Sequence, residues 1–209
     1  MTVIDSVPRL VFAAAKKHAE LCAIEDGTIS ISYQDLPNHC LDVCRALIAF
    51  GVKPGDRVAI WGSNSALWIL AAIGLQMAGA VLVPINTRMK AMEAADIIKR
   101  SGAKLVFSEG DFLNNDFPAQ LSALFESSQL AIVTLTPRAG DPIISCSPWT
   151  QFLAKRSDVS KNSALKLAMS IDGEDLSDLM FTSGTTGKPK GVMSRHGSMI
   201  RALCLAIVI

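Results

Sequence analysis

The sequence lacks a strong charge of either sign. Lys and Arg number 20 and Asp and Glu 19 in 209 residues, a net charge of +1. That balance gives no global reason to expect nucleic acid, an anionic membrane or a highly charged partner. Paired cysteines are also missing. Cys22, Cys40, Cys44, Cys146 and Cys204 are odd in number and form no CxxC. A disulfide framework is therefore disfavoured, and a reducing cytoplasm fits better. His39, Cys40 and Cys44 have no second ligand pair after them, so buried thiols on one helix face are expected rather than a metal site. A secretory signal is absent from the first residues: Arg9 interrupts the early apolar stretch, and Lys16 and Lys17 stand where a cleavage site would belong. No internal repeat or low-complexity tract stands out.

One long hydrophobic run exists, Ala66–Val83, ALWILAAIGLQMAGAVLV. It could span a thin bilayer by length. Gln76 in its middle and the break at Gly79, followed by short AVLVPI, favour a buried helix turning into a buried strand. No transmembrane segment is expected, and peripheral membrane contact stays open.

Half the residues are hydrophobic, enough for a sizeable core. Residues 6–20 read as a helix, and Ala23–Tyr33 as a hairpin about Asp26-Gly27. Leu36, Cys40, Val43, Cys44, Leu47 and Ile48 keep helical spacing over 34–50, which Gly51 can end. Strands are expected at Arg57–Trp61, Val81–Ile85, Lys104–Ser108 and Leu130–Leu135. Helices are expected after a Ser63 or Asn64 cap, over 90–101 and near 117–127. This alternation predicts an α/β fold, a mostly parallel sheet flanked by helices. Residues 136–163, with Pro137, Pro142 and Pro148, read as a surface connection holding one short helix near Thr150–Ala154.

The last forty residues change character. After Asp178 there is no acid, while Lys188, Lys190, Arg195 and Arg201 contribute +4. Leu179-Met180-Phe181 reads as a strand end. Thr182–Gly191, TSGTTGKPKG, then holds three glycines, four hydroxyls and two lysines. Glycines let backbone N–H groups approach phosphate oxygens, hydroxyls donate to those oxygens or hold Mg2+, and lysines bring mobile positive charge. The spacing is not GxxxxGK followed by Ser or Thr, which disfavours a P-loop NTPase. The alternative, a polar surface turn, does not account for the lysines, the preceding apolar strand and the acid-free tail together. His196 opens an expected helix that it can cap or orient, and this is preferred to a reacting role. No Ser-His-Asp arrangement is readable.

Asp178–Met193, DLMFTSGTTGKPKGVM, resembles the signature loop of the adenylate-forming superfamily, which includes acyl-CoA synthetases, nonribosomal-peptide adenylation domains and beetle luciferases. The likeness extends upstream to SYQDL at 32–36, to residues 51–88, and to SGAKLVFSE after the 90–101 helix. About 180 of the 209 positions can be laid on the family's opening region. The stretch from Gly51 to Arg88 looks most like bacterial fatty-acyl or steroid-side-chain acyl-CoA ligases.

The resemblance implies a partial N-terminal AMP-binding domain over residues 1–209. It implies ATP-dependent activation of a carboxylic acid, such as a fatty acid, to an acyl-adenylate and then to acyl-CoA, with ATP, Mg2+ and CoA as cofactor and co-substrates. Thr182, Ser183, Gly184, Thr185, Thr186, Gly187, Lys188 and Lys190 would hold the ATP phosphates. Thr182 is the candidate for Mg2+, and Lys190 is a safer phosphate contact than Lys188. The family's later parts, which bind adenine, ribose and acid and carry the adenylation lysine, are not in these residues. The apolar end ALCLAIVI at 202–209 fits a chain whose next elements would cover it. A fragment or truncated gene product is expected, and the competing readings are a non-catalytic nucleotide-binding module and a vestigial remnant. The acyl substrate and the oligomeric state are not legible.

Overall fold

A computed structural model describes residues 4–182 and 189–207. Helix α1 (Val7–Lys17) leads into an antiparallel hairpin, β1 (Cys22–Asp26) and β2 (Ile29–Ser32), and then α2 (Leu36–Phe50). Next come β3 (Arg57–Trp61), α3 (Ala66–Met77), β4 (Val81–Ile85), α4 (Ala91–Ser101) and β5 (Leu105–Ser108). A two-residue ribbon follows, β6 (Asp111–Phe112) with β7 (Asn115–Asp116), and then α5 (Phe117–Ser122) and β8 (Ala131–Thr134). β9 (Cys146–Pro148), α6 (Trp149–Ala154), a 3-10 turn at Lys155–Asp158 and α7 (Lys161–Ser170) precede β10 (Leu176–Thr182), β11 (Lys190–Arg195) and α8 (His196–Ile207).

Seven strands form one sheet in the order β11-β10-β4-β3-β5-β8-β9, all parallel except β11. β3 sits near the middle and shows why both faces are covered. Val58 and Ile60 face one core with α1, α2, α3, α6 and α7. Ala59 and Trp61, one residue out of phase, face a second core with α4 and α5. Side chains alternate across a strand, so a near-continuous apolar run is what a doubly covered parallel strand needs. The chain turns toward the first face after β3 and toward the second after β4 and β5. Strand order therefore reverses around β3, and the crevice outside the carboxyl ends of these strands is where open α/β sheets take ligands.

The run Ala66–Val83 resolves into α3 and β4. No helix among the described residues is long and apolar enough to cross a membrane. α3 packs closely on α2: a Cβ at Gly74 would lie 2.5 Å from Val43 Cβ and 3.0 Å from the Cys40 carbonyl, so only glycine fits that contact. Cys40 and Cys44 are fully buried in this interface. Burial pushes both thiols up, Cys44 to about 12, and no metal-holding cluster of His, Cys, Asp and Glu occurs among the described residues.

Several expectations need correction. The α3 cap is Ser65, not Ser63 or Asn64: its side chain accepts from the Trp68 N–H at 3.2 Å. Asp26 of the hairpin accepts from the Ala66 N–H at 2.8 Å, a second cap from forty residues away. Ser63 is engaged by Glu109 instead, donating to its carboxylate through N–H at 2.6 Å and Oγ at 3.0 Å. The helix expected near 117–127 ends at Ser122, and the first helix covers 7–17 rather than 6–20. The segment 136–163 does hold a helix near 150–154, but it is more than a surface connection. β9 extends the sheet in parallel beside β8, and Trp149 and Phe152 are buried, with Phe152 edge-on to Phe107.

Candidate functional site

β10 joins the sheet beside β4, with Asp178 in register with Leu82. Being parallel, β10 delivers Thr182 to the carboxyl end of the sheet. β11 then returns antiparallel, pairing Phe181 with Gly191 and Thr182 with Lys190. Directly opposed residues of an antiparallel pair project on one face. The Thr182 hydroxyl and the Lys190 ammonium therefore share a face at the mouth of the hairpin, and both residues are exposed. Ser183, Gly184, Thr185, Thr186, Gly187 and Lys188, the other residues expected to hold phosphate, lie outside the described residues.

The opposite face of the hairpin is anchored. Leu179 and Phe181 pack against the core under α4 and α5. Gly191 leaves room for them, since a Cβ there would come within 3.1 Å of Leu179 and 3.4 Å of Phe181. Arg100, in the last turn of α4, donates through Nη2 to the Pro189 carbonyl at 2.8 Å and lies 5.0 Å from the Phe181 ring centre. Nothing in the sequence around Arg100 marks this contact; its i−4 partner Asp96 is the sole local signal.

The tail's charge is divided. Arg195 at the far end of β11 pairs with Glu174, and Arg201 donates to Ser198 at 3.3 Å. Among the described residues Lys190 has no ion-pair partner, so its charge is available at the hairpin mouth.

Two polar groups are buried at the base of the hairpin, a role not read from the sequence. Asp178 is 3% exposed, and its Oδ2 has no hydrogen-bond partner among the described residues. Burial pushes its carboxyl up, partly offset by the Ser194 and Ser177 hydroxyls. Gln76, mid-α3, donates to Ser177 Oγ at 2.8 Å, which explains a buried amide in an otherwise apolar helix.

His196 is held among structural neighbours. It starts α8 as expected, but it caps α1: Nδ1 accepts from the Val7 N–H at 3.4 Å. The ring is fully buried, and burial lowers its pKa to about 4, against the opposing pull of Asp175, Asp5 and Asp172. Protonation would remove the acceptor that α1 needs. Above the unfolded-state pKa of about 6.5 the histidine is neutral in both states, and its stabilising contribution is complete. Between about 6.5 and about 4 the unfolded chain takes up a proton that the native state refuses. Native stability is expected to fall as pH drops through that window. Urea unfolding at stepped pH checks this, and His196→Gln should flatten the wild-type slope there; an equal slope in both proteins rejects the assignment.

The sequence profile described as "AMP-binding enzyme" matches residues 11–208. The chain belongs to this family. A relative in Rhodococcus jostii (strain RHA1), named 3-[(3aS,4S,7aS)-7a-methyl-1,5-dioxo-octahydro-1H-inden-4-yl]propanoyl:CoA ligase, is 37% identical over 193 residues, covering 91% of this chain and 38% of that protein. FadD13 of Mycobacterium tuberculosis (strain ATCC 25618 / H37Rv), a long-chain-fatty-acid CoA ligase by name, is 32% identical over 164 residues, covering 78% of this chain and 29% of that protein. Among solved structures, VinN with 3-methylaspartate superposes with a TM-score of 0.77 at 22% identity, over 98% of this chain and 51% of that one. That last likeness supports the fold alone. The chain thus spans about two-fifths or less of the length of these curated relatives.

Proposed function

We propose that this chain supplies the phosphate-gripping part of an ATP-dependent acid–thiol ligase. In the reaction a carboxylate, whose own leaving group would be oxide, is converted by ATP to an acyl-adenylate with release of pyrophosphate. The CoA thiol then displaces AMP. The observation that carries this reading is the Thr182–Lys190 pair. A hydroxyl and an unpaired ammonium face the same way at the carboxyl end of a parallel sheet, flanking the Gly-, Ser- and Thr-rich segment. Thr182 through Gly187, with Lys188 and Lys190, would hold the departing pyrophosphate, and Thr182 would offer its oxygen to Mg2+. The metal, when bound, supplies neutralising charge to the polyphosphate. Catalysis of this kind works by positioning and electrostatics.

The acid belongs to the fatty or polycyclic propanoic class by analogy with the ligases named above. A cytoplasmic setting accords with the free state of Cys22, Cys40, Cys44 and Cys146. A second reading is a nucleotide-binding module without catalysis of its own.

ATP–pyrophosphate exchange with a panel of fatty and polycyclic carboxylic acids tests the first reading, and calorimetric titration with Mg·ATP tests the second. Exchange with any acid establishes the adenylation step in this chain. Binding without exchange selects the module, and absence of both rejects nucleotide recognition by these residues.

A further inference from the structure

We infer that Arg100 is a positioning residue that clamps both stems of the β10–β11 hairpin to α4. The inference rests on the phosphate-binding reading above for its consequence, though not for its geometry. Three contacts converge on one guanidinium. Asp96, one turn earlier, fixes it from behind, with Nη1 to Oδ2 at 3.2 Å. Nη2 donates to the Pro189 carbonyl at 2.8 Å, one residue before Lys190. The cation lies 5.0 Å from the centre of the Phe181 ring, one residue before Thr182. The two stems are therefore held by the same side chain, at Phe181 on one side and Pro189 on the other side of the Thr182–Lys190 pair that faces across the hairpin mouth.

The hairpin needs such a tie. β11 is the edge of the sheet and pairs only with β10 among the described residues. Its exposed Val192 and Met193 bring it little core packing. Edge pairs held on one side fray from the open end. Proline cannot donate a ladder bond, so Pro189 gains its anchor through its carbonyl instead. A planar guanidinium can serve a carbonyl and a ring at once, which an ammonium does less well.

Amide exchange read by NMR on the 209-residue chain tests the clamp. In Arg100→Ala, those amides of Phe181, Thr182, Lys190 and Gly191 that are bonded within the sheet should exchange about tenfold faster, the loss of one charged hydrogen bond and an exposed cation–π contact. The amides of Asp178 and Ser194, toward the far end, should keep their rates. Arg100→Lys retains the charge and one donor, and should recover most of the protection. Unchanged rates at the mouth, or uniform acceleration along the whole hairpin, would overturn the clamp.

Titration with Mg·pyrophosphate runs beside it. A wild-type chain that binds it, an Arg100→Ala chain that binds about tenfold more weakly and an Arg100→Lys chain close to wild type support positioning of the phosphate contacts. Equal affinities with faster exchange overturn that consequence. A wild-type chain that does not bind rejects the phosphate-binding reading, while the exchange pattern still decides the clamp.

Discussion

Trp61→Ala will lower the unfolding free energy by about 3–5 kcal/mol, a large share of what a domain of this kind possesses. Trp61 ends the central strand β3 and is fully buried. Its ring stacks on Phe117 of α5, centroids 3.9 Å apart and planes within 10°. Nε1 donates to the Asn86 carbonyl at 3.2 Å, just past β4. One side chain thus joins β3, the turn after β4 and α5 at the carboxyl end of the sheet. Truncation opens a cavity that its aromatic and aliphatic neighbours cannot close, and it removes one of the two hydrogen bonds on the Asn86 carbonyl, which keeps the Met89 N–H. Trp61→Phe keeps most of the stack and loses only the hydrogen bond, so about 1–2 kcal/mol is expected. Urea unfolding followed by far-UV circular dichroism measures both. Equal costs for the two substitutions would mean that the hydrogen bond, not the packing, is what Trp61 supplies.

Trp61 also shows what could be read in the sequence. VAIW after Arg57 is apolar on both faces, Val58 and Ile60 on one and Ala59 and Trp61 on the other, as a strand covered on both sides needs. α2, β4, α4, β5 and β8 were legible for similar reasons, each carrying a clear period or a short apolar run between turn residues. β9 was not. Cys146-Ser147-Pro148 is short, has no alternation and ends on a proline; it becomes a strand because β8 offers an open edge, and Pro148 ends the register opposite Thr134. α7 hid for another reason. KNSALKLAMS has a weak apolar stripe, and its start depends on Ser160, whose Oγ accepts from the Ser163 N–H at 3.1 Å. The cap lies at Ser65, one or two residues past the expected Ser63 or Asn64, and Ser63 is claimed by Glu109, 46 positions away. Contacts of that range leave no local mark.

The candidate site divides along the same line. The proposed phosphate contacts, the glycines, hydroxyls and lysines of Thr182–Gly191, are written in one stretch. Their support is not, since Arg100 and Gln76 act on the hairpin from other elements and Asp178 is buried within its own strand. A buried carboxylate within a strand has no sequence signature: Asp178 looks like the nearby acids Asp172, Glu174 and Asp175. Only in the folded sheet does it become buried.

Lys190→Ala is expected to cut adenylation by about 2–4 kcal/mol of transition-state stabilisation, on the scale of a lost oxyanion donor. The position supports so large an effect. Lys190 opens β11 opposite Thr182, with its backbone held in the ladder and its stem continued by the anchored Pro189. Its ammonium has no ion-pair partner among the described residues, so no internal carboxylate competes with a phosphate for it. Arg195 cannot substitute, since it stands at the other end of the strand and is paired with Glu174. Negative charge grows on the pyrophosphate as the bond to the α-phosphorus breaks. A cation at that oxygen therefore counts more in the transition state than in the bound ground state. Lys190→Ala should accordingly lower the rate of pyrophosphate exchange far more than the affinity for Mg·ATP. Lys190→Arg, which keeps the charge but spreads it over a wider fork, should fall between the two. The measurement is exchange rate against Mg·ATP affinity, in whichever form of the enzyme shows exchange. An unchanged rate of pyrophosphate release in Lys190→Ala would remove the residue from the phosphate site and leave Thr182 alone at the hairpin mouth.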